Sequence, residues 1–347
     1  MARMTNCSFE TLYEAYLNQE DDLKYQIIKD RTHVRVPDKD TFPEHANKDS
    51  FSQPKDIRTV LERDGLNIHS SPDILNDIKC NSDIYILSEK LSTLNPRSQH
   101  NGVALLSEMS GNVKSITRSW YGQVSTEEKK FTWKDFFGEL NESPCTPSNS
   151  AIIIDRYLFS YEKIGEYKST YKDGLRNLKN IFEGLLPTNI NARYDILVIF
   201  GADEGLIDRS ITVEDLVDEI YDIVEAIDRP YEINVELLAI RKYCSLWADT
   251  HDRRIISNYF LIQAPHGFKA LKANGYGTYN QLIDAKCIYN GIDSKRQREQ
   301  GLVIKYCENT LSIIKNAIAQ LSDDDYTCYN IDTECYTKSL TNRLLRE

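Results

Sequence analysis

AIIIDRYLF, residues 151–159, opens on four apolar residues and holds a single Asp-Arg pair within a run of strand length. Such a run fits a strand covered on both faces. It is followed by KDGLRNLKNIFEGLLP, residues 172–187, in which Leu175, Leu178, Ile181, Phe182 and Leu185 share one helical face before a proline stops the pattern. YDILVIFG (194–201) repeats the strand grammar. TVEDLVDEIYDIVEAID (212–228) repeats the helical one, with a stripe of Val213, Leu216, Val217, Ile220, Ile223, Val224 and Ile227, and with Thr212 and Asp215 spaced as a capping box. INVELLAI (233–240) is a third buried strand, and HDRRIIS (251–257) with YFLIQA (259–264) reads as a hairpin. Strands that alternate with helices of this length need crossovers. The expected fold class is therefore α/β, a mostly parallel sheet with helices on both faces, to which the hairpin adds one or two antiparallel strands.

Upstream the grammar is less regular. SFETLYEAYLNQ (8–19) places Phe9, Leu12, Tyr13 and Tyr16 at helical spacing. The proline-punctuated stretch 36–56 reads as a surface excursion, DIRTVLERDG (56–65) and SPDILNDIKCNS (71–82) as helices, DIYILS (83–88) as a buried strand, and FTWKDFFGELN (131–141) as an aromatic helix. NESPCTPSNS (141–150) has a connector's composition. This divides the chain into a smaller α/β or α+β domain over 1–140, a linker over 141–150, and a second domain over 151–347 that ends in a helical extension built on ENTLSIIKNAIAQL (308–321).

Composition narrows the function classes. The 347 residues suffice for one large or two moderate domains, and the apolar and charged fractions are those of a globular protein. Net charge is −11, which disfavours nonspecific adhesion of the whole molecule to nucleic acid or anionic lipid. Between Arg229 and Lys305, however, twelve Lys/Arg face seven Asp/Glu, a local basic excess that suits an anionic ligand if the charges share a face. No apolar stretch has the length of a membrane span, the first residues lack a secretion-signal pattern, and the eight cysteines form no CxxC pair. A cytoplasmic protein with reduced thiols, no structural metal and no cofactor is expected.

The chemistry concentrates in THDRRIISNYFLIQAPHGF, residues 250–268. Strand alternation sends His251 and Arg253 to one side, Asp252 and Arg254 to the other. An imidazole and a guanidinium two residues apart can address one phosphate together, the first as nucleophile or donor and the second through its planar, permanently charged fork. With Asn258 the spacing is His-x-Arg-x4-Asn.

That pattern resembles the phospholipase D superfamily motif, His-x-Lys-x4-Asp, with arginine for lysine at 253 and asparagine for aspartate at 258. It is closer still to the phospholipase-D-like carboxy-terminal domain of MIT-domain proteins, whose strand carries His-Asp-Arg and an asparagine before a glycine-containing turn, here Gly267. That branch also opens on Asp-x-Tyr and continues with a helix bearing Asn-Leu. The counterparts are Asp155 and Tyr157, then Asn177 and Leu178, so the resemblance covers about residues 150–275.

The resemblance implies a module that binds phosphorylated lipid rather than cleaving it. Superfamily chemistry needs two facing motifs, and this chain has one, so catalysis would require a homodimer that pairs two copies of His251. Asn258 also lacks the charge of the aspartate expected to support the histidine. The expected function is recognition of a phosphate-bearing ligand, a lipid headgroup or nucleic acid, through His251 and Arg253, with Asn258 beside them and Arg254, Asp155, Tyr157, Gly267 and Lys269 as binding residues. The alternative is a homodimeric phosphodiesterase or nuclease with His251 as nucleophile, such as a bacterial defence effector. Other features are weaker. Gly201 and Gly205 lack a dinucleotide fingerprint, Asp203, Glu204 and Asp208 read as solvated loop carboxylates before they read as metal ligands, and packing is the commoner fate of tyrosines such as Tyr276 and Tyr279, although they stand near Lys269 and Lys272.

Overall fold

The computed structural model describes residues 1, 4–18, 23–31, 33–36, 60–70, 83–87, 101–107, 113–141, 148–188, 190, 192–203, 206–207, 211–249, 253–292 and 302–346. Five short strands form a parallel sheet in the first third: β1 (Thr5–Cys7), β2 (His33–Val36), β3 (Asn67–Ser70), β4 (Ile84–Leu87) and β5 (Ala104–Ser107), in the order β3-β2-β1-β4-β5. Helices α1 (Phe9–Asn18) and α2 (Leu23–Lys29) lie between β1 and β2 in sequence. Ser8 starts α1 by accepting the Thr11 N–H at 3.1 Å, and Leu12, Ala15 and Tyr16 form its buried face. The strand expected in DIYILS is β4, buried along its whole length. Residues 60–63 are helical within DIRTVLERDG, whereas the helix expected over 71–82 and the excursion from 37 to 56 lie outside the described residues.

The larger sheet has nine strands in the order β16-β15-β11-β10-β7-β12-β13-β14-β6. In chain order these are β6 (Ser119–Val124), β7 (Ser150–Ile154), β10 (Tyr194–Gly201), β11 (Ile233–Ile240), β12 (Arg253–Ser257), β13 (Phe260–Ala264), β14 (Gln281–Cys287), β15 (Tyr326–Asn330) and β16 (Cys335–Tyr336); β8 (Glu162–Ile164) and β9 (Tyr167–Ser169) pair separately. The helices are α3 (Trp133–Asn141), α4 (Tyr171–Leu185), α5 (Val213–Glu225), α6 (Ser245–Asp249), α7 (Val303–Gln320) and α8 (Arg343–Arg346).

Only β7, β10 and β11 are mutually parallel, in the βαβαβ run read from the sequence. The remaining six pairings are antiparallel, so the expectation of a mostly parallel large sheet is corrected to a mixed one. The cause is connection length. Asn258 and Tyr259 alone join β12 to β13, and so short a turn closes only an antiparallel pair. The sheet also draws β6 from before the 141–150 stretch, and α3 packs on α4, where Gly184 leaves room for the Phe137 ring.

Alternation along the central strands feeds two cores. Ala151, Ile153, Ile196, Val198, Val235 and Leu237 face α3, α4 and α5, while Ile152, Ile154, Leu197, Ile199 and Leu238 face α6, α7 and the first sheet's elements. At about 1.5–3 kcal/mol for each fully buried aliphatic side chain, this two-sided burial dominates the stability of the strands. The α5 start carries the capping box read from the sequence. Asp215 Oδ2 accepts the Thr212 N–H at 2.9 Å, and Thr212 Oγ1 accepts the Asp215 N–H at 3.1 Å. Among the described residues no helix is long and apolar enough to cross a membrane.

Candidate functional site

The carboxyl ends of β7, β10 and β11 lie along one edge of the large sheet, the edge where open α/β sheets place their ligands. Because β12 runs antiparallel to β7 with Arg254 opposite Ile154, β12 begins where β7 ends. β13 returns to the same edge, Ala264 opposite Arg253. Asp155, Arg253 and the Pro265–His266–Gly267 turn are brought together by register alone.

Asp155 is the hub. It is 1% exposed, its Oδ1 accepts the Tyr157 N–H at 2.9 Å, and its Oδ2 accepts the Phe268 N–H at 2.7 Å. Burial pushes its carboxyl above the usual carboxylate range, against the opposing pull of Arg253, the two N–H donors and Lys269. Gly267 makes this contact possible. Its φ is +92°, and a Cβ there would stand 2.8 Å from Asp155 Oδ2. Gly267→Ala is expected to cost about 1–3 kcal/mol, seen as a lower urea midpoint; a variant as stable as wild type would show that the turn relaxes freely.

Arg253 is held on several sides. Its Nη1 donates to Pro265 O at 2.5 Å, its Nε lies 3.9 Å from Asp155 Oδ1, and its guanidinium lies over the Tyr157 ring at 5.1 Å. The 3.9 Å separation is too long for a hydrogen bond, so Asp155 positions the charge without engaging the fork in a bidentate pair. The side chain is 22% exposed. Tyr157 projects to solvent, and Arg156 beside it pairs with Asp203 at 2.8 Å while lying over the Tyr243 ring at 4.9 Å. His266 stacks on Tyr279, whose hydroxyl donates to Glu162 at 2.9 Å. Burial and Glu162 push that phenol up, with Arg253 opposing.

Asp155, Asn177 and the segment after Gly267 meet here. Asp155 from β7 holds the Phe268 N–H. Asn177 from α4 donates its Nδ2 to Leu271 O at 2.9 Å and to Asp173 O at 2.8 Å, and its Oδ1 accepts the Trp133 Nε1–H at 3.2 Å. Both residues fix the segment that follows Gly267. Leu178, one residue on, is fully buried in the core. Lys269 is nearly buried, its Nζ donating to Ser160 O at 2.6 Å and to Ser160 Oγ at 3.1 Å, so it braces the turn after β7.

Two expected site residues lie elsewhere. Arg254, 3% exposed, points to the opposite face, where its Nη1 donates to Thr310 Oγ1 at 2.9 Å and its guanidinium covers the Tyr306 ring. Asn258 sits at the far end of β12, five residues or about 16 Å from Arg253. Its Oδ1 accepts the N–H groups of Asn149 at 3.1 Å and Ser150 at 2.9 Å, tying down the start of β7. His251, the expected nucleophile, lies outside the described residues, as do Asp252, Glu204, Gly205 and Asp208.

Among the described residues the basic island is dispersed. Lys242 pairs with Asp325 and Lys305 with Asp30, while Lys272 lies over the Tyr167 ring. Sequence reasoning did not single out Arg156, Ser160, Glu162 or Gln281, whose Oε1 accepts the His266 N–H at 2.9 Å. Their roles come from contacts across the fold, and no local spacing signals them. Compared with known proteins, the chain matches no family model and no curated protein.

Proposed function

We propose that the chain is a phosphate-recognising module of phospholipase-D-like type, with Arg253 as the anchor for the anion and His251, two residues earlier in sequence, as its second contact. The observation that carries this reading is the Arg253 guanidinium, oriented at the sheet's carboxyl edge by a buried carboxylate and an aromatic face. A charge held this way binds an oxyanion without first losing its own conformational freedom. The stacked His266 and Tyr279 and the exposed Tyr157 offer flat surfaces beside it.

The test measures binding of phosphoinositide-containing vesicles and of 5′-phosphorylated single-stranded DNA and RNA, alongside turnover of bis(p-nitrophenyl) phosphate. Arg253→Ala is expected to weaken binding of whichever ligand associates by roughly tenfold or more, the worth of one charge-assisted contact. Equal binding by wild type and variant would end the proposal. Turnover that vanishes in His251→Ala would instead establish the phosphodiesterase alternative, and the oligomeric state would then have to be dimeric.

A further inference from the structure

At the opposite edge of the same sheet lies an open, surface-facing cavity of about 590 Å3, within the size range of small-molecule sites. Its walls come from the start of β10, the turn after β15 and the tail that leads into α8. The fully buried Asn342 anchors that tail. Its Nδ2 donates to Ala151 O and Asp195 O, each at 3.3 Å, and its Oδ1 accepts the Ser150 hydroxyl at 3.1 Å. The cavity is therefore framed by a pinned segment.

Three guanidiniums line it: Arg193, Arg343 and Arg346. Asp195 aligns two of them. Its Oδ1 accepts the Arg193 Nε–H at 3.0 Å, and its Oδ2 lies 3.4 Å from Arg343 Nη2. Arg193 is further committed to Glu232 at 2.8 Å. Arg346 is different, for it is exposed at the rim and makes no ion pair among the described residues. It stands three residues from Arg343, which places both on one helical face. Thr341 is also in the wall, and its Oγ1 is buried with no hydrogen-bond partner among the described residues, although the Thr341 N–H donates to Glu236 Oε1 at 2.6 Å. A buried hydroxyl without a partner carries a desolvation cost that a ligand's polar group would relieve. Asp332, about one-third exposed and with its Oδ2 3.9 Å from Arg193 Nη1, adds an acceptor on the same wall.

We propose that this cavity is a second ligand site, separate from Arg253, for a small organic phosphate. Arg343 and Arg346 take the phosphate, and Thr341 and Asp332 take hydroxyl groups on the organic part. Guanidinium forks suit phosphate oxygens, while the hydroxyl and the carboxylate select against inorganic phosphate alone.

Isothermal titration of the full chain with AMP, glucose 6-phosphate, adenosine and inorganic phosphate tests this. Saturable binding of AMP or glucose 6-phosphate is expected, with adenosine inert, and the two phosphates distinguish a nucleotide from a sugar ligand. Arg346→Ala should weaken that binding roughly tenfold or more. It should leave the melting temperature unchanged, since the side chain has no ion-pair partner among the described residues to lose. Thr341→Val should weaken the organic phosphate and leave inorganic phosphate unaffected, whereas Arg253→Ala should preserve the cavity's binding. Absence of saturable binding at millimolar ligand overturns the proposal. So does binding that Arg346→Ala and Thr341→Val leave intact, or binding that only Arg253→Ala abolishes.

Discussion

Asp155→Ala is expected to lower the unfolding free energy by about 3–5 kcal/mol, because it removes a buried carboxylate that faces both Arg253 and the buried Lys269 at this edge. The N–H groups of Tyr157 and Phe268 also lose their acceptor. Urea unfolding with an unchanged slope would report this as a large drop in midpoint. A loss below about 1 kcal/mol would mean that the hub is dispensable. Asp155→Asn is the informative control, since it keeps an acceptor and the shape but not the charge. The carboxyl is pushed up in the fold, so its stabilising contribution is present below the ordinary carboxylate range and is lost as pH rises through its folded value. The stability advantage of wild type over Asp155→Asn should therefore narrow with rising pH. A gap that widens instead would show that Arg253 and the N–H donors outweigh burial.

The second large effect belongs to Asn258, and it separates a strap from a catalytic group. Asn258→Ala leaves the N–H groups of Asn149 and Ser150 unsatisfied in a fully buried place, a cost of about 2–4 kcal/mol. Asn258→Asp offers the same two donors an acceptor, so it should remain within about 2 kcal/mol of wild type. Ligand affinity at Arg253, measured below the melting temperature, should be unchanged in both variants. A selective loss of affinity or turnover without a loss of stability would assign Asn258 a part in the chemistry that its place at the far end of β12 does not suggest.

The two residues illustrate different limits of the sequence. The strand end at Asp155, the helix carrying Asn177 and the turn at Gly267 were all visible as a pattern. Their joint purpose, fixing the segment after Gly267 from two elements, appears only when β7 and α4 are seen to converge on it. Arg253 and Arg254 were correctly expected on opposite sides by strand alternation, but only α7 shows that Arg254 is spent on Thr310 and Tyr306. The spacing to Asn258 grouped it with Arg253. Pairing with β7 separates them.

By itself the sequence determined β7, β10 and β11 and the helices between them, because continuous apolar runs and a 3.6-residue stripe record locally which faces are covered. It did not reveal β14, whose buried and less buried positions alternate, or β6, which has an exposed face. Their pairing, Asp284 opposite Tyr121, joins residues from widely separated parts of the chain and is one of the six antiparallel pairings of the sheet. Only the tertiary structure decided this, since a backbone hydrogen bond between distant strands leaves no trace in the side-chain pattern of either one.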